Sequence, residues 1–95
     1  MTTSRMAQFM AGIPHTASLS TTNRYCSSGL HAVAQIANAI RAKQIDIGIG
    51  GGVESMSMFS FNDSVKIEAL SPQAFEHQEA AKCLMPMGIT SENVA

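Results

Sequence analysis

Cys26 sits in the stretch NRYCSSGLHAV (residues 23–33), where a short polar loop gives way to an apolar helical pattern. A thiol in the first turn of a helix faces unpaired backbone N–H groups and the positive end of the helix dipole. Both favour the thiolate, which is the nucleophilic form. Ser27 and Ser28 suit a helix start, and Asn23 is placed to help cap it. Gly29 costs about 1 kcal/mol inside a helix relative to alanine, an expense that makes sense where a substrate or a facing backbone approaches that turn. The competing reading is a small buried structural cysteine, a common fate of free thiols. Local features leave both open.

A thiolate needs a base and an oxyanion site to do acyl chemistry. Of the three histidines, His31 follows Cys26 by five residues, about 140° round a helix, and cannot face the thiol. His15 falls in a loop and His77 in a polar segment, where solvent exposure is the plainer expectation. Glu54, after the glycine turn, suits hydrogen bonding within that turn better than orienting a partner. Met56, Met58, Met85 and Met87 could line an adaptable apolar channel, although core or interface packing is the commoner use of such residues. Gly50, Gly51 and Gly52 raise a phosphate loop, but neither GKS/T nor GxGxxG follows. Cys26 and Cys83 lie far apart without CxxC spacing, which argues against a disulfide framework, a zinc site or any other metal site.

The elements that must position Cys26 follow from periodicity. Met6, Phe9, Met10 and Ile13 recur at helical spacing, Gly12 suits the C-terminal cap, and Pro14 stops the helix. Residues 16–25 read as a strand. From about Ser27 to Lys43 the pattern is helical, with Leu30, Val33, Ile36, Ala37 and Ile40 on one stripe. Ile45, Ile47 and Ile49 alternate with Asp46, Gly48 and Gly50, a strand whose glycine face lets a helix or backbone lie close. Strand, helix, strand with short connections makes a βαβ unit and an α/β fold. Residues 59–70 carry no clear period. Residues 70–84 read as a helix with Ser71 as N-cap and Pro72 at the first helical position, and residues 85–88 as a turn. A last helix then opens on Thr90 or Ser91. It stops within roughly two turns, too short to stand alone, so the pattern reads as a piece of a longer chain.

Composition bounds the partners. The chain has 95 residues, 45% apolar and only 14% charged, with a net charge of −1. The low charge suggests surface that something else covers. No Lys/Arg run marks a nucleic-acid or anionic-membrane partner, and no apolar stretch approaches bilayer-spanning length.

Taken together, RMAQF, LSTTNRYCSSGLHAV, IDIGIGGGVESMS and CLMPMGITSENVA resemble consecutive blocks of the thiolase family, closest to the peroxisomal type of 3-ketoacyl-CoA thiolase. The resemblance implies a partial thiolase-like fold. Residues 1–56 would be part of the N-terminal domain with the nucleophile helix, and 57–95 the beginning of the loop region that covers coenzyme A. It implies that Cys26 is the nucleophile that carries the acyl group as a thioester, with its backbone N–H forming half of an oxyanion hole. Met87 would line the pantetheine tunnel. Coenzyme A and acyl-CoA would be substrates rather than cofactors, and a homodimer would form through the strand near residues 17–25. A peroxisomal setting follows by resemblance, without excluding a mitochondrial or cytoplasmic one. Tyr25 and His31 depart from the family pattern, which usually has Gln at both positions.

Two functions follow as expectations. One is a fragment of a thiolase that is inactive alone, since the family's catalytic His, second Cys and partner Asn match nothing here. The other is a non-catalytic truncated module that associates with thiolase subunits.

Overall fold

A computed structural model describes residues 1–58, 60 and 66–95. Part of the stretch read as aperiodic, and part of the expected loop region, therefore lies outside the described residues. The chain divides into two units, Met1–Glu54 and Ser55–Ala95.

In the first unit, α1 (Thr2–Met10) ends where Gly12 and Pro14 indicate. Gly12 takes a left-handed φ of 79°. Its N–H donates to the Phe9 carbonyl at 3.0 Å, and the Ile13 N–H to that of Gln8 at 3.2 Å. This pair of bonds is a Schellman cap, which occupies carbonyls the helix end leaves orphaned. The next helix, α2 (Ser28–Arg41), closes the same way: Lys43 N–H to Ile40 at 2.9 Å and Gln44 N–H to Ala39 at 3.0 Å. Here the left-handed position is filled by Lys43, at φ 56°, without glycine's freedom.

The segment after α2 lies against it through its glycines. A Cβ on Gly48 would stand 2.7 Å from the Ile36 side chain, and one on Gly50 would stand 2.8 Å from the Val33 Cα. The alternating Ile/Gly pattern therefore does what it implies, bringing backbone onto a helix. The expected βαβ unit, by contrast, is not formed. Residues 17–23 and 47–56 are irregular, and among the described residues no strand is present beyond an isolated bridge between Arg24 and Cys26. The reason is physical: strand identity belongs to a pair, and these two segments exchange no ladder hydrogen bonds.

Neither is there an apolar core among the described residues. Among the described residues Gln8 is the only buried side chain. The chain exposes 8762 Å², against about 5,300 Å² for a folded monomer of its mass. On the α2 stripe Ile36 and Ala37 are half-buried, while Leu30 is 76% exposed. On the isoleucine side of the glycine segment, Ile47 and Ile49 are bare.

In the second unit a 3-10 turn (Ile67–Ala69) precedes α3 (Pro72–Glu76) and α4 (Gln78–Lys82). The single helix expected over 70–84 is thus two. His77 breaks it with an extended backbone (ψ 115°), ending one helix and starting the other, its Nδ1 accepting the Ala80 N–H at 3.4 Å. Pro72 opens α3 as expected, but Ser71 makes no side-chain cap. The last helix, α5 (Met87–Val94), starts at Met87 rather than at Thr90 or Ser91. Its N-cap is Pro86, and the Thr90 hydroxyl bonds back to the Pro86 carbonyl at 3.4 Å. Among the described residues no helix is long and apolar enough to cross a membrane.

Candidate functional site

Three residues of irregular chain lead into α2 and set the place of Cys26. Asn23 Oδ1 accepts the Tyr25 N–H at 2.9 Å, a local Asx turn rather than the helix cap expected of it. Tyr25 then takes a φ of 49°, a left-handed conformation that is uncommon for a bulky residue. Cys26 follows, and Ser27 is the N-cap, without a side-chain cap bond. Cys26 therefore lies one residue before the N-cap, not in the first turn of the helix.

Hydroxyls and carbonyls close this corner tightly. The Arg24 N–H donates to Ser28 Oγ at 2.7 Å, and that hydroxyl donates to the Tyr25 carbonyl at 2.6 Å. Ser27 Oγ donates to the Arg24 carbonyl at 2.9 Å, and the Ser27 and Ser28 N–H groups reach the Arg24 and Tyr25 carbonyls at 3.1 and 3.0 Å. The first bond of the helix ladder runs from the His31 N–H to the Ser27 carbonyl at 2.9 Å.

Cys26 itself is exposed and reduced. Cys83 is exposed and reduced as well. The Cys26 backbone N–H and that of Gly29 have no hydrogen-bond partner among the described residues. Gly29 faces open space, with nothing within 4 Å of a Cβ placed there. The arrangement is an exposed thiol on a corner in which the Cys26 and Gly29 N–H groups are unpaired among the described residues.

No histidine or carboxylate among the described residues bonds to the thiol. His31 is half-buried on α2 and pairs with Gln35 at 3.2 Å. His15 is exposed, and its carbonyl accepts a bond from Arg5 at 2.9 Å. Glu54 is exposed at the end of the first unit. Among the described residues no group of acidic, His and Cys side chains could hold a metal ion.

In the second unit Met87 starts α5 and is exposed, sharing an open groove along that helix with Thr90, Ser91 and Val94. Asn93 Nδ2 points to the Met85 sulfur at 3.8 Å, across the turn before α5. Met56 and Met58 are exposed.

Sequence reasoning missed the device that anchors the approach to Cys26. The Arg5 guanidinium reaches the carbonyls of His15 and Ala17 and, at 2.6 Å, Gln8 Oε1. Gln8 Nε2 donates to the same Ala17 carbonyl at 3.1 Å. One helix thus grips the chain that leads to the corner. The only signal was Gln8, a polar residue beside the apolar positions of α1.

The family model of the thiolase N-terminal domain matches residues 1–95. The peroxisomal 3-ketoacyl-CoA thiolase B of Mus musculus is 54% identical over 91 residues, 96% of this chain and 21% of that protein. The peroxisomal 3-ketoacyl-CoA thiolase of Yarrowia lipolytica is 57% identical over the same length, 22% of that protein. The crystal structure of the dimeric peroxisomal thiolase of Saccharomyces cerevisiae is similar at a TM-score of 0.87 and 47% identity, over 99% of this chain and 24% of that one. The chain spans about a fifth of the length of these curated relatives.

Proposed function

The chain belongs to the thiolase family, and we propose that it carries the acyl-accepting nucleophile of a peroxisomal-type 3-ketoacyl-CoA thiolase, Cys26. The observation that carries this reading is an exposed thiol on the corner before α2, its own residue's N–H unpaired among the described residues, in a chain that matches the family along its whole length.

In the complete protein the Cys26 thiolate attacks the 3-keto carbon of 3-ketoacyl-CoA. Its oxygen becomes an oxyanion, which the Cys26 N–H is free to meet. The bond between carbons 2 and 3 breaks, and acetyl-CoA leaves after its carbanion takes a proton. The shortened acyl group stays on Cys26 as a thioester until the thiolate of free coenzyme A displaces it. Coenzyme A is a substrate here and no further cofactor is needed. The open space at Gly29 suits an approaching acyl chain.

Residues 1–56 serve as part of the N-terminal domain, and 57–95 begin the loop region, with Met87 against the pantetheine arm. The extended segments at 17–25 and 45–50 become paired strands in the complete α/β fold. A homodimer through residues 17–25 fits the dimeric yeast relative, and a peroxisomal setting fits the names of the relatives. The isolated chain has no turnover, because no base reaches Cys26.

A second reading rests on the absence of a buried apolar side chain among the described residues. It makes the chain a non-catalytic module that gains its core by joining thiolase subunits.

The test is a chimera, the Yarrowia lipolytica relative with its matching stretch replaced by this chain. Thiolysis of acetoacetyl-CoA is expected in the chimera and lost on Cys26→Ala. A chimera that turns over unchanged with Cys26→Ala overturns the proposal.

A further inference from the structure

We propose that Ser28 is a positioning residue for Cys26, holding Tyr25 in the left-handed turn that presents the thiol; this rests on the reading of Cys26 as the nucleophile. A tyrosine at φ 49° does not stay there on its own preference. Asn23 Oδ1 holds its N–H and the Ser28 N–H holds its carbonyl, but the Ser28 hydroxyl is the group that bonds on both sides of it. It accepts the Arg24 N–H at 2.7 Å, before Tyr25, and donates to the Tyr25 carbonyl at 2.6 Å, after it. Donor and acceptor capacities of one hydroxyl are both used.

The staple straddles the strained residue and leaves Cys26 outside it. Cys26 contributes neither its N–H nor its thiol to these bonds. The turn is thus held without occupying the groups the chemistry needs. Ser28 does not cap the helix, since α2 has no side-chain cap bond at its N-terminus. Each bond spans four residues or fewer, so the turn forms locally and needs no core.

The expected consequence is kinetic. With the staple intact, the thiol stays at the N-terminal end of α2. Without it, Tyr25 relaxes to negative φ and Cys26 swings away from that end.

Cys83, also exposed and reduced but with its thiol bonded to the Glu79 carbonyl at 3.6 Å, provides a reference that the Ser28 and Tyr25 substitutions leave untouched. Alkylation of the 95-residue chain by iodoacetamide, followed residue by residue by peptide mass spectrometry, gives the ratio of the Cys26 rate to the Cys83 rate. The native ratio is expected to exceed the ratio in denaturant by roughly two- to fivefold, because the held corner fixes the thiol in one presented conformation that the denatured chain lacks. Ser28→Ala brings it down to the denatured value, while Ser28→Thr keeps it. In the double variant Tyr25→Gly with Ser28→Ala it recovers, because glycine adopts the turn unaided.

An unchanged ratio in Ser28→Ala overturns the role of Ser28 and leaves Cys26 as nucleophile standing. Failure of Tyr25→Gly to restore the ratio overturns the coupling through Tyr25. Equal native and denatured ratios in the unaltered chain refute the preset turn, and Ser28's role with it, whereas the nucleophile reading itself falls only with the chimera.

Discussion

Gly50 and Val33 approach so closely that a Cβ on the glycine would stand 2.8 Å from the Val33 Cα and 2.9 Å from its backbone nitrogen. Helix backbone cannot give way as a side chain tip can. Gly50→Ala is therefore expected to push the 45–50 segment off α2 and cost about 1–3 kcal/mol. Gly51→Ala and Gly52→Ala, with nothing within 4 Å, stay within about 0.5 kcal/mol. Thermal or urea unfolding of the three chimera variants checks this, and an equal effect at all three positions contradicts the packing described.

Lys43 closes α2 in a left-handed conformation that costs a side-chain residue about 1–2 kcal/mol. Lys43→Gly keeps both Schellman bonds and removes that penalty. Set against glycine's larger loss of chain entropy, it is expected to stabilise by about 0.5–1 kcal/mol. A rise in the urea midpoint of the chimera checks it.

The Arg5–Gln8 grip on Ala17 is expected to respond as a unit. Arg5→Ala costs about 1–2 kcal/mol by freeing the His15 carbonyl and Gln8 Oε1 and leaving the Ala17 carbonyl to Gln8 Nε2 alone. Arg5→Lys does not restore it, because an ammonium cannot span the carbonyls of His15 and Ala17 as the planar guanidinium does. A double-mutant cycle between Arg5 and Gln8 should show a coupling of about 0.5–1.5 kcal/mol. Additive losses contradict the shared grip.

These residues divide by what can be read in the chain. Gly12 before Pro14 announces a helix end, and the Ile/Gly alternation at 45–50 announces close approach to a helix; both are local signals, and both are met. Strand identity is not local. Residues 16–25 and 45–50 have strand-like patterns but no ladder partner among the described residues, and the relatives are about five times longer. His77 illustrates another limit. Its neighbours favour helix on both sides, yet an extended backbone at one position splits the run in two. The corner at Cys26 was legible in its residue types but not in its wiring. Asn23 and the two serines bond to the loop rather than to the helix N–H groups, and nothing in composition signals Tyr25's positive φ.

The bare faces have a measurable consequence. Ile47, Ile49 and Val53 are 88, 79 and 96% exposed, so the isolated chain is expected to self-associate and to bind a hydrophobic dye. Ile49→Lys should reduce both signals. Sedimentation and dye fluorescence across a concentration series check it. A monomeric, dye-silent chain contradicts the view that its apolar surface awaits cover.

The central claim is that Cys26 takes the acyl group, and trapping that intermediate tests it most directly. The chimera is mixed with acetoacetyl-CoA and no free coenzyme A, quenched in acid, and its peptides are weighed. One acetyl group is expected on the peptide containing Cys26, lost on treatment with hydroxylamine as a thioester should be, with Cys83 unmodified. Acetyl on any other residue, with Cys26 free while the chimera turns over, contradicts the account.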